Sequence, residues 1–226
     1  MNQKKHLDKV ESLGAYMRSN QLYEALSNPS EESEKFINEQ VLDIINKQEA
    51  CGLKAITDGE FRFKSWDLGF FFGFKGVENV RIDYGNVYQD SETLTDVLNL
   101  NGRIEFNPEH PVFSNFQFLR DNLPVNTQAA PDEDTDNDEN FGNGLYARVS
   151  MPSPALFFFA LLRQPESYSS IYQDIDILAD DIILAYRKTI KALHAAGCTS
   201  VKFDDPTWGF IYDQYYLKRI LYAGLD

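Results

Sequence analysis

The chain has 226 residues, 43% of them hydrophobic, enough for one large core or two small ones. Its 35 acidic residues against 21 basic ones give a formal net charge of -14, which speaks against nucleic acid and anionic membrane surfaces as partners, since both would repel it. The opening MNQKKHLDKVESLGAY has lysines but no apolar signal core, and the longest apolar run, Ala155 to Leu162, falls far short of the ~20 residues that span a bilayer. Two cysteines, Cys51 and Cys198, are too few for a disulfide framework, so the expected setting is the reducing cytoplasm.

Asn20 to Leu26 reads as a short first helix. A second is clearer: Pro29-Ser30 precede Glu31, Glu32 and Glu34, acids placed where the positive end of a helix dipole favours them. Phe36, Ile37, Val41, Ile44 and Ile45 then recur at helical spacing until Gly52 ends the run. LKAITDGE follows, a short strand finishing in Asp58 and Glu60. The ring-rich FRFKSWDLGFFFGF comes next, and its phenylalanines are expected to pack a core. Alternation then takes over across 77–107, a β-rich excursion in which Asn101-Gly102 is a hairpin-type turn signal.

The acidic stretch 127–143 has almost no apolar residues and is expected to be a mobile surface loop. Asp134, Asp136 and Asp138 fall at positions 1, 3 and 5 of a calcium loop, but position 6 is Glu139 instead of glycine and position 12 is Leu145 instead of glutamate. Calcium is therefore not expected there. LYARVS reads as a strand, and the prolines of MPSP (Met151 to Pro154) fix a turn that could aim Ser153 at a ligand. Ser153 lacks the G-x-S-x-G elbow of a hydrolytic nucleophile. Leu178, Ile182, Ile183, Tyr186, Ile190 and Leu193 mark one apolar helical face, closed by Gly197 and followed by TSVKFDD.

The chain thus twice writes helix, glycine, short apolar strand and carboxylates: Gly52 precedes Asp58 by six residues and Gly197 precedes Asp204 by seven. Such alternation suggests parallel βα units, whose C-terminal strand ends line the ligand site. Glu60 and Asp204 are expected to converge on one pocket, acting as acid and base or holding an ammonium group. The competing reading has Asp58 and Asp205 capping their loops and Glu60 paired with Arg62 or a lysine. Trp66 and Trp208 either stack on a flat ligand or pack. Neither cysteine has a C-x-x-C partner, the histidines are only His6, His110 and His194, and no metal site can be assembled from these residues.

GAYMRSNQL, ITDGEFRFKSW, MPSPALF and GCTSVKFDDP occur in an order that resembles the cobalamin-independent methionine synthases, above all short homologues carrying the catalytic half. The resemblance implies a (β/α)8 TIM barrel, present here as a single incomplete-barrel domain over 1–226, that moves a methyl group from a methylated folate to the thiol of homocysteine. It implies zinc bound to that thiol. Gly14 and Ala15 match the Gly-Ser that contacts the amino-acid substrate, with a hydroxyl deleted at Ala15. Glu60 and Asp204 match the carboxylates that hold its ammonium, while Asp205-Pro206 shape the turn. Trp66 and Ser153 are the folate-side candidates, and no catalytic residue is assignable.

In that family the zinc ligands fall beyond the strand matching SVKFDD; here 22 residues follow Asp204, and DQYYLKRILYAGLD holds neither histidine nor cysteine. The resemblance thus implies a fragment or truncated product lacking the metal half, inactive alone and prone to self-association through exposed sheet edges. Two other classes stay open: a metal-free amino-acid-binding protein without turnover, and a TIM-barrel glycoside hydrolase using its strand-end carboxylates.

Overall fold

The computed structural model describes residues 10–82, 95–123 and 144–212; the acidic stretch 127–143 lies outside them. In chain order the elements are α1 (Asn20–Ser27), α2 (Glu31–Ala50), β1 (Ala55–Ile56), α3 (Leu68–Phe71), β2 (Lys75–Ile82), β3 (Thr95–Glu105), α4 (Pro111–Asp121), β4 (Tyr146–Pro152), α5 (Pro154–Leu162), α6 (Ile175–Ala195), β5 (Ser200–Asp204) and α7 (Thr207–Tyr212). The fold class is mixed α/β. No helix among the described residues is long and apolar enough to cross a membrane.

The helices begin where their caps dictate. Ser19 accepts a hydrogen bond from the Leu22 amide at the head of α1, and Ser30 accepts one from Ser33 at the head of α2. Each satisfies one of the amides that a helix start leaves without an internal partner. Glu31, Glu32 and Glu34 occupy the first turn of α2, as their charge favours. Val41, Ile44 and Ile45 are buried at the spacing of one helical face. Gly52, at φ +80°, then turns the chain toward β1.

A three-stranded sheet has the order β1-β4-β5, with β1 and β4 parallel and Ala55 and Ile56 opposite Tyr146 and Ala147. The parallel βα pattern is therefore present. Along β4, Ala147, Val149 and Met151 are buried in alternation, as a period of two requires. A second, antiparallel sheet consists of β2 and β3.

Two compact units divide the chain. The first comprises Met1–Trp66, Pro111–Met151 and Leu193–Lys202, and the second Asp67–His110, Pro152–Ala192 and Phe203–Asp226. In the first, Leu22, Val41, Ile45, Ile56, Phe116 and Leu193 are buried; in the second, Phe70, Phe71, Phe74, Phe157, Leu178 and Tyr186 are. The phenylalanines of the ring-rich stretch do pack a core: Phe71 stacks on Phe157 with centroids 4.3 Å apart, and Phe70 meets Phe74 edge-on at 5.5 Å.

Two local expectations are corrected. Asn101-Gly102 is not a turn but lies inside β3. Gly102 instead faces Gly76 where the β2–β3 register shifts between Lys75 and Val77, and of the two it is Gly76 that the close approach requires. Gly76 takes φ +80°, and a Cβ there would collide with the Arg103 carbonyl. On α6, Leu178, Ile182, Tyr186 and Leu193 are buried, but Ile183 is 49% exposed. The step from 182 to 183 turns a side chain by about 100°, off the covered stripe.

Candidate functional site

The loop after β1 is built around a backbone conformation that L-residues avoid. Gly59 lies at φ +69° and Glu60, with a Cβ, at φ +59°. A non-glycine residue held there costs on the order of 1–3 kcal/mol and persists only where its surroundings fix it. Here they do so from several sides. Within the loop, the Thr57 hydroxyl accepts from the Gly59 amide at 3.2 Å and the Asp58 carboxylate accepts from the Glu60 amide at 2.9 Å. From the segment before α1, the Tyr16 amide donates to the Gly59 carbonyl at 3.2 Å. Arg18 donates through one guanidinium nitrogen to the Glu60 carbonyl at 2.7 Å and through the other to the Lys64 carbonyl at 3.0 Å. Glu60 itself is buried, 8% exposed.

Charge around this loop is shaped by burial. Loss of hydration raises the Asp58 carboxyl above the usual range, opposed by the hydrogen bond from the Glu60 amide and by the Arg62 and Arg18 charges. Arg62 donates to the Asn38 side chain at 2.7 Å and lies over the Phe118 ring at 4.3 Å. Asp58 thus takes the loop-capping role weighed for it from the sequence.

Beside the loop is a cleft of about 450 Å³, lined by Ala15, Tyr16, Arg18, Tyr23, Lys64 and Trp66 among others. Ala15 and Trp66, named from the sequence for the amino-acid substrate and for the folate, share this one cleft, and Gly14 precedes it at φ +70°. Two cations and three rings suit a ligand with an anionic group and a flat or apolar part. Sequence reasoning missed Arg18 and Lys64. Both sit inside quoted motifs, GAYMRSNQL and FRFKSW, but residue type alone does not separate them from ordinary surface bases.

The remaining named residues belong to the second unit. The Ser153 amide donates to the Asp204 carbonyl at 3.1 Å, so these two positions are brought together. The Ser153 hydroxyl accepts from the Leu156 amide at 2.9 Å, capping α5 with Pro154 in its first turn. Asp204 is half-buried. The Asp205 carboxylate accepts from the Thr207 amide at 2.9 Å and from its hydroxyl, which is the turn-shaping role expected of it. Trp208 is 65% exposed and fills no core position.

Zinc does not fit the described residues, among which no three of His, Cys, Asp and Glu stand together as ligands. Cys51 is exposed, whereas Cys198 is buried, donates to the Ser200 carbonyl at 3.3 Å, and has its thiol pKa pushed up by burial. The buried His110 spends its Nε2 on the Phe70 carbonyl at 3.0 Å.

No protein-family profile matches the chain. Two Bacillus subtilis (strain 168) proteins of uncharacterised function align with it. YxjH is 27% identical over 217 residues, covering 93% of this chain and 51% of its own length. YxjG is 25% identical over 226 residues, covering 97% of this chain and 54% of its own. The chain thus spans about half the length of the curated relatives it matches. Among solved structures, a candidate vitamin-B12-independent methionine synthase from Listeria monocytogenes superposes with a TM-score of 0.58 at 24% identity, over 93% of this chain and 58% of that one. A B12-independent methionine synthase from Shewanella sp. W3-18-1, in complex with selenomethionine, gives 0.53 at 18% identity, over 88% and 51%. These likenesses establish a shared α/β fold.

Proposed function

We propose that the chain supplies the substrate-binding part of a methyltransferase similar to the cobalamin-independent methionine synthases, acting on homocysteine with a methylated folate as donor. The observation that carries this reading is Glu60: a buried carboxylate on a strained left-handed turn at the end of a parallel strand. The likeness in fold to a protein holding selenomethionine supports an amino acid with a sulfur side chain as the ligand. In this reading the α/β arrangement is part of a (β/α)8 barrel in a cytoplasmic enzyme.

The chain's own residues bind and orient. Glu60 and Asp204 accept hydrogen bonds from the substrate ammonium, and their negative charge keeps that group protonated. Gly14 and Ala15 contact the amino acid through backbone, and Trp66 offers a face to the folate ring. Zinc, when bound by a family member, favours the thiolate of homocysteine; the described residues do not fit it.

Titration calorimetry with L-methionine and with 5-methyltetrahydrofolate tests the reading. Methionine is expected to bind, and Glu60→Gln and Asp204→Asn are each expected to weaken it by about tenfold or more, the value of one charge-assisted hydrogen bond. Undetectable methionine binding, or full affinity in both variants, overturns the proposal.

A further inference from the structure

We infer that Arg18 is a positioning residue, a clamp that imposes the left-handed backbone at Gly59-Glu60 and so aims the Glu60 side chain. This rests on the role proposed above for Glu60. Arg18 stands 42 residues before Glu60 in the chain and reaches its carbonyl at 2.7 Å. The same guanidinium takes the Lys64 carbonyl at 3.0 Å, so a single planar group spans both ends of the segment 60–64. A fork with two fixed donors sets the angle between two carbonyls; a lysine ammonium offers charge without that geometry.

The neighbouring contacts agree with the clamp. Tyr16, two residues earlier, donates its amide to the Gly59 carbonyl at 3.2 Å, so the segment before α1 grips two successive peptide units of the turn. The guanidinium lies 5.6 Å from the centroid of the Tyr23 ring in the first helix, which limits its swing. Its Nε is buried and has no hydrogen-bond partner among the described residues. That loss is tolerated because both Nη groups are spent on carbonyls that the strained turn presents. On the opposite side, the Asp58 carboxylate holds the Glu60 amide at 2.9 Å. Residue 60 is thereby fixed at its N–H from within the loop and at its C=O from Arg18. Without the second hold, relaxation to φ below zero relieves the strain and swings the side chain away.

The test combines binding and structure on the full chain. Calorimetry with L-methionine is expected to show affinity reduced about tenfold or more in Arg18→Ala, only partly regained in Arg18→Lys, and restored in Arg18→Ala by millimolar methylguanidinium. A general loss of structure would not respond to the added guanidinium. Unchanged methionine affinity in Arg18→Ala, or a loss that methylguanidinium leaves untouched, overturns the clamp. A crystal structure of Arg18→Ala decides the matter independently of ligand: residue 60 is expected to leave positive φ, and its retention there overturns the inference. Should the wild-type chain fail to bind methionine while residue 60 still relaxes in Arg18→Ala, the clamp stands and the proposed function falls.

Discussion

Gln48 and Thr57 form a two-point amide pair inside the first unit. The Gln48 Nε2 donates to the Thr57 carbonyl at 2.8 Å, and its Oε1 accepts from the Thr57 amide at 3.1 Å. The side chain, 1% exposed, acts as one residue of a neighbouring strand and satisfies both backbone groups just past β1. Its Nε2 also reaches the Ile44 carbonyl at 3.1 Å. Replacing Gln48 with Leu keeps the volume and strands the Thr57 amide and carbonyl. The expected cost is about 2–4 kcal/mol, read from the urea midpoint at constant slope.

His110 makes stability depend on pH. Burial, opposed by the hydrogen bond to Phe70, holds its pKa down to about 4 against 6.5 for an ordinary imidazole. The folded pKa is the lower one, so the unfolded chain binds the proton first as pH falls. The stability from a neutral His110 is complete above about 6.5 and is lost progressively toward 4, by about 3 kcal/mol in all. Unfolding curves at pH 7, 5.5 and 4.5 should show this slope, and His110→Gln should flatten it, because an amide does not titrate.

Ser153 separates capping from ligand contact. Ser153→Ala is expected to lower stability by about 1 kcal/mol through the lost bond to the Leu156 amide. A hydroxyl committed to the helix start leaves little for a ligand, so 5-methyltetrahydrofolate affinity is expected to change by less than about twofold. Calorimetry and melting on the same variant check both parts.

Gly76 and Gly102 face each other but differ in tolerance. At Gly76 a Cβ meets both a left-handed backbone and the Arg103 carbonyl, and Gly76→Ala is expected to cost about 3 kcal/mol. At Gly102 the nearest atom to an added Cβ is the Gly76 Cα at 3.8 Å, an ordinary contact, so Gly102→Ala should cost under about 1 kcal/mol. Thermal denaturation of the pair gives the comparison.

How much was legible in the sequence depends on the range of the forces involved. The α2 start followed from Ser30 and its acids, and the buried faces of α2 and α6 followed from apolar spacing, because caps and periodicity are local. Asp205 as a turn former was legible for the same reason. Asn101-Gly102 misled because its turn preference lost to the long pairing of β2 with β3, a contact made far along the chain. Arg18 was invisible as a clamp since its partners, the carbonyls of Glu60 and Lys64, carry no residue-type signature. Glu60 could be picked as a strand-end acid, but its positive φ is imposed by neighbours far along the chain.

Both units are woven from three separate stretches, and this bears on the order of events during synthesis. The first cannot close until Leu193–Lys202 has been made, nor the second until the stretch beginning at Phe203 has. A ribosome releasing the chain from its N-terminus would therefore expose Val41, Ile45 and Phe71 for most of elongation, with only local helices to shelter them. Nascent chains of this protein should lean on holding chaperones, and refolding from denaturant should proceed best when dilute.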